Sequence, residues 1–161
     1  LFSPKWLFFI PGLLLFTAGM AGFIALVTGP VTIGGVKFDT NTLLVCAAMI
    51  LVGFQALFFA VFAKAFAVRF GILPPDRRIT RILRSQPVEM GIGGGLLLSL
   101  LGLGYLVAAV LYWKEVSFGD LPYAESLRIV IPAITAIALG MQSIFSGFVL
   151  AMLNLPRRHT L

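Results

Sequence analysis

Charge is what this sequence has least of. Only 11% of its 161 residues are Asp, Glu, Lys or Arg, and four long stretches contain none: Trp6 to Val36, Thr40 to Ala63, Met90 to Trp113 and Ile129 to Pro156. Each exceeds the roughly 20 apolar residues with which an α-helix crosses a ~30 Å hydrocarbon layer. A soluble core would not need helices that are apolar on every face, so the chain is a membrane protein. Cysteine is nearly absent too: Cys46 is the only one, which excludes an intramolecular disulfide, and its apolar neighbours Val45 and Ala47 make it a buried, inert thiol. The one histidine, His159, lies in a terminal tail away from any cysteine or carboxylate, so no zinc site or Ser-His-Asp triad has candidate members. No carboxylate pair has acid/base spacing within a helix, and the spans lack the mid-membrane ionisable residues that mark transporters and proton pumps.

The charges that are present encode topology. With a cytoplasmic N-terminus, nine basic residues face inward (Lys5, Lys64, Arg69, Arg77, Arg78, Arg81, Arg84, Arg157, Arg158) and three outward (Lys37, Lys114, Arg128). This asymmetry obeys the positive-inside rule, so both termini are expected in the cytoplasm, and the net charge of +6 needs no nucleic-acid partner. The first stretch is no signal peptide, being too long and lacking a small-residue cleavage site. Because the chain begins at Leu1, a processed product, a fragment or part of something longer is expected.

The expected architecture is all-α, with a single four-helix membrane domain and spans near 7–27, 42–68, 91–113 and 125–153. Trp6 anchors the first span at the interface, and Gly29-Pro30 ends it. Val31 to Phe38 alternates β-branched residues around Gly34-Gly35, which reads as a tight hairpin-like loop. Asp39, Thr40 or Asn41 offers an N-cap for the second helix, which Gly71 and Pro74-Pro75 stop. Pro87 is expected to break the chain before the third helix. Tyr112 and Trp113 mark the outer end of that helix, Asp120-Leu121-Pro122 resembles a helix start, and Pro132 is expected to kink the last helix.

Two matches point to internal duplication. Gly12-Leu13-Leu14-Leu15 with Gly19 parallels Gly95-Leu96-Leu97-Leu98 with Gly102, and Gly53-Phe54-Gln55-Ala56-Leu57-Phe58 parallels Gly140-Met141-Gln142-Ser143-Ile144-Phe145. The chain therefore reads as two tandem helical hairpins of the same orientation, over 1–70 and 88–155. Gln55 and Gln142 fall at equivalent mid-membrane positions. They serve either as an interhelical hydrogen bond or as contacts to a polar group of a lipid or substrate. Small residues at spacing four, such as Ser143, Gly147 and Ala151, form close-packing stripes. Gly91 to Gly95 follows no strand and opens a membrane helix, so it is not a phosphate-binding loop.

Between the two repeats, Asp76 to Ser85 places Arg77, Arg81 and Arg84 on one helical side, with Arg78 nearby, and Ile79, Ile82 and Leu83 on the other. That pattern predicts a short amphipathic basic helix lying on the cytoplasmic surface. Its arginines either snorkel to anionic headgroups and fix topology, or pair with the phosphate of a lipid substrate.

Ser3-Pro4-Lys5-Trp6-Leu7 with Pro11-Gly12-Leu13-Leu14-Leu15 resembles the entry to the C-terminal membrane region of bacterial family 2 glycosyltransferases. These are the enzymes similar to dolichyl-phosphate mannosyltransferase and other polyprenyl-phosphate sugar transferases. The likeness runs on through Gly29-Pro30-Val31-Thr32-Ile33-Gly34-Gly35-Val36, Gly53-Phe54-Gln55, Phe62-Ala63-Lys64, Gly71-Ile72-Leu73-Pro74, Arg128-Ile129-Val130-Ile131-Pro132 and Phe145-Ser146. The resemblance implies a bacterial inner membrane protein that anchors a cytoplasmic catalytic domain and presents polyprenyl phosphate at the inner surface. It assigns no catalytic residue to this chain, which has no Asp-x-Asp pair for a metal and nucleotide donor, and no cofactor. The alternative expectation is an accessory structural subunit of a larger membrane complex, with other membrane subunits and lipids as its partners.

Overall fold

In the computed structural model the described residues are 5–74, 87–115, 117, 119 and 122–154. They form four long helices, all long and apolar enough to span a membrane. A π-helical segment, Lys5–Phe9, leads directly into α1, Ile10–Val27. Pro11 explains that entry: it has no N–H to give to the Leu7 carbonyl, so the regular ladder is interrupted and the chain takes wider turns.

β1, Val31–Ile33, and β2, Val36–Phe38, pair antiparallel with Thr32 opposite Lys37. The two-residue turn between them has Gly34 at φ 58° and Gly35 at φ 82°. Two consecutive positive φ angles give the turn whose twist matches a hairpin, and glycine adopts them without steric cost. The expected loop is thus a true β-hairpin.

Asp39 caps α2, Thr40–Arg69, accepting from the Thr40 N–H at 2.9 Å, while its carbonyl receives Thr42 and Leu43 N–H. The other end closes as a Schellman motif. Gly71 sits at φ 73°, Ile72 N–H donates to Ala67 O at 2.9 Å and Gly71 N–H to Val68 O at 3.3 Å. α3, Pro87–Glu115, starts earlier than the sequence predicted. Pro87 opens the helix instead of breaking the chain before it, because a first-turn proline sacrifices only an N–H that has no helical partner. α4, Tyr123–Asn154, is preceded by Pro122, whose carbonyl accepts from Glu125 and Ser126, and it carries Pro132 within its length. Asp120 and Leu121 of the expected helix start lie outside the described residues.

α1 packs antiparallel on α2 and α3 on α4, with α2 and α4 joining the two pairs. Glycines set the closest approaches. A Cβ on Gly53 would stand 2.5 Å from Phe16 N and 2.8 Å from Gly12 O; one on Gly95 would stand 2.6 Å from Gly140 O and 3.0 Å from Ile144 N. Gly19 meets the α2 backbone at Cys46 and Ile50, as Gly102 meets α4 at Ala133 and Ile137. By contrast Gly93, Gly94 and Gly104 on α3 face open space.

Burial is greatest at the β-hairpin end. Leu26, Leu43, Cys46, Ala47 and Ile131 form one cluster, with Phe23, Val31, Phe38 and Leu127 packed on it. Leu43 is 0% and Ile50 1% exposed. Most other large apolar side chains are exposed, as lipid-facing helices require. The expected thiol at Cys46 is buried in this cluster.

These contacts predict opposite outcomes for two glycine substitutions. Gly53→Leu drives a side chain into the α1 backbone and should destabilise the fold by roughly 1–3 kcal/mol or more. Gly94→Ala, which meets nothing, should range from neutral to a gain of about 1 kcal/mol from helix propensity. Unfolding midpoints in mixed micelles check both.

Candidate functional site

Three polar or aromatic arrangements interrupt the apolar surface. The first ties the helices together at the β-hairpin end. Arg128, on the second turn of α4, donates through one guanidinium nitrogen to Leu26 O at the end of α1 (3.0 Å) and through the other to Asp39 Oδ1. Lys37 on β2 adds a further cation, with Nζ 3.4 Å from Asp39 Oδ2. Arg128 is only 15% exposed, so its guanidinium leaves water for a set of fixed acceptors. Partial burial pushes the Asp39 carboxyl up, but the Thr40 N–H and the two cations outweigh it and hold the group below its ordinary value. Asp39 was one of three cap candidates in the sequence, and Lys37 and Arg128 stood out there as isolated charges. Their pairing was not legible, because it joins residues far apart in the chain.

The second arrangement is a groove of about 350 Å³ between α2 and α4, lined mainly by Phe54, Phe58, Phe62, Phe145 and the two glutamines. The structure brings Gln55 and Gln142 to the same groove, without the interhelical hydrogen bond that was one of their two expected roles. Gln55 is exposed, whereas Gln142 is half-buried and its Oε1 is buried without a hydrogen-bond partner. This acceptor is unusual here, since Thr17, Thr135 and Ser143 all spend their hydroxyls on their own helix backbone. Sequence reasoning passed over the phenylalanines. Phe54, Phe58, Phe62, Phe66 and Phe70 recur every fourth residue, and the rings of Phe58, Phe62, Phe66 and Phe70 follow one another along α2 at 6.4, 6.4 and 4.2 Å. That period was the available signal.

The third is a larger pocket of about 660 Å³ between the C-terminal half of α3 and the first turns of α4. Tyr112, Trp113, Tyr123, Glu125 and Ser126 line it over an apolar floor, and Trp113 Nε1 donates to Gly119 O at 3.0 Å.

Arg77, Arg78, Arg81 and Arg84, with the amphipathic helix expected around them, lie outside the described residues. Among the described residues, no three His, Cys, Asp or Glu side chains gather in a way that could hold a metal ion.

A family model, the glycosyltransferase family 2 C-terminal transmembrane region, matches residues 61–154. The match takes in the last third of α2, α3 and α4, with much of the phenylalanine groove and the whole of the aromatic pocket. No curated protein and no solved structure matches the chain.

The ion-pair cluster generates three expected outcomes. Asp39→Asn keeps a capping side chain while removing the charge, so its loss of stability isolates the ion pair. Arg128→Gln should cost more, because it also strips the donor from Leu26 O. As a carboxylate held below its ordinary value, Asp39 stabilises the fold above the unfolded-state value, and that stability is lost as pH falls through the folded one. Thermal midpoints of wild type should therefore fall on acidification below the usual carboxylate range, and the part of that fall owed to Asp39 should vanish in Asp39→Asn.

Proposed function

The chain belongs to the glycosyltransferase family 2 C-terminal transmembrane region family, and from that premise we propose that it anchors a cytoplasmic catalytic domain while holding a polyprenyl phosphate acceptor at the inner membrane surface. The observation that carries this reading is the groove between α2 and α4. It is walled by phenylalanine rings, as a hydrocarbon chain requires, and its lining on α2 ends at Phe62, just short of Lys64. The isoprenoid lies along these rings, beside the buried and unpartnered Gln142 Oε1. The phosphate stays at the cytoplasmic surface, where Arg77, Arg78, Arg81 and Arg84 supply cations of the planar kind that pairs with phosphate oxygens. The orientation is that of the positive-inside rule, with both termini in the cytoplasm of a bacterial cell.

The helix pairs are, in this reading, tandem copies of one hairpin. Gly12 and Gly53 approach each other as Gly95 and Gly140 do, Gly19 meets Cys46 and Ile50 as Gly102 meets Ala133 and Ile137, and the counterparts keep a constant offset along each helix. Gln55 and Gln142 then hold equivalent places in the two copies, which is why both reach the seam between them.

Binding of a short-chain polyprenyl phosphate to the protein in phosphatidylcholine nanodiscs tests the proposal. Replacing Arg77, Arg78, Arg81 and Arg84 together by glutamine should weaken binding by about tenfold or more and flatten its dependence on salt. Phe62→Ala should weaken it by a smaller factor that does not change with salt. Wild-type affinity in both variants sinks the proposal, and leaves a structural role within a larger membrane complex as the better account.

A further inference from the structure

The pocket between α3 and α4 lies far along these helices from the phenylalanine groove, and nothing in the anchoring role uses it. Three of its lining side chains are aromatic: Tyr112 and Trp113 from the last turns of α3, and Tyr123 from the start of α4. Aromatic residues at the ends of membrane helices commonly serve as interfacial anchors, and such anchors need no carboxylate among them. Here Glu125 lines the same cavity, together with the Ser126 hydroxyl.

Among the described residues of the lining, Glu125 is the only charged side chain. Ring faces carry negative electrostatic potential and attract a cation, and the carboxylate attracts the same cation from another side. An anionic group meets both as repulsion. The polar contacts on offer to a ligand are acceptors and hydroxyls, which suit an ammonium donor. The volume of about 660 Å³ falls in the range of small-molecule sites and is ample for a headgroup. Tyr123 is 73% and Tyr112 51% exposed, so the cavity opens outward at the end of the spans, where lipid headgroups lie.

We propose that this pocket is a receptor for the ammonium group of a membrane lipid headgroup, held between the rings of Tyr112, Trp113 and Tyr123 and the carboxylate of Glu125. The lipid's phosphate stays outside, kept at the headgroup level by repulsion from Glu125, and its acyl chains follow the apolar surface of α3.

The test uses Trp6→Phe protein, in which Trp113 is the sole tryptophan, since the chain has two. Its emission is followed in phosphatidylglycerol nanodiscs as phosphatidylethanolamine replaces part of the lipid, with acyl chains matched. The expected result is a saturable change in Trp113 emission. Glu125→Gln and Tyr123→Leu should each raise the half-saturating mole fraction about fivefold or more. A second arm adds soluble ethanolamine to pure phosphatidylglycerol discs. If ethanolamine reproduces the saturable change at millimolar concentration, the ligand is a free ammonium compound and the lipid assignment falls. No saturable response to phosphatidylethanolamine, or an unaltered response in Glu125→Gln that retains the parent's thermal midpoint, overturns the site itself.

Discussion

Arg128 is the constraint around which the β-hairpin end of this protein is arranged. A guanidinium next to an apolar span is expensive unless its donors meet fixed acceptors. Here they meet the last turn of α1 through Leu26 O and the cap of α2 through Asp39. One side chain on α4 thereby ties together the end of α1, the cap of α2 and the hairpin between them, since Lys37 on β2 shares the same carboxylate. The best-buried apolar cluster lies beside it and includes Leu26 and Ile131, while Asp39 and Lys37 keep contact with solvent on the other side. Pro132 adds to the arrangement: it withholds the N–H that would normally bond the Arg128 carbonyl, loosening the helix ladder at the residue that makes the link.

Elsewhere the chain is strict about polar groups. The hydroxyls of Thr17, Thr135 and Ser143 fold back on carbonyls a turn earlier, which is the inexpensive solution in lipid, while Ser99 reaches across to Ile137 O on α4. Against that background two places carry the functional argument: the buried Gln142 oxygen in the phenylalanine groove, and Glu125 among aromatic rings. They lie toward opposite ends of the helices. The first is where we propose that the lipid acceptor lies, the second where we propose that an ammonium headgroup binds.

Much of the fold was legible because membranes make simple demands. Missing charge located the spans, Gly34-Gly35 predicted the hairpin turn, and Gly71 marked the end of α2 that its positive φ then produced. Pro87 misled, since proline both ends and opens helices and only the backbone on either side decides between them. Gln55 and Gln142 stood out in the sequence and line one groove, but the unpaired acceptor depends on side-chain geometry that spacing does not encode. The Phe54 to Phe70 series was visible and went unread, because in a helix apolar on every face one more apolar stripe adds little contrast. The Asp39–Arg128 link and the aromatic pocket join segments far apart in sequence or shaped by the turn before α4, and local pattern cannot reach them.

The closeness of Gly12 to Gly53 and of Gly95 to Gly140 has a consequence for biogenesis. The tightest crossings lie within sequence-adjacent helices, so each pair can lock as soon as its second member leaves the ribosome and enters the bilayer. Asp39, however, is made long before Arg128. Until Arg128 is made, the carboxylate at the head of α2 has only Thr40 N–H and Lys37 among the partners described for it, and Arg128 then adds a charged link to the packing of α2 on α4.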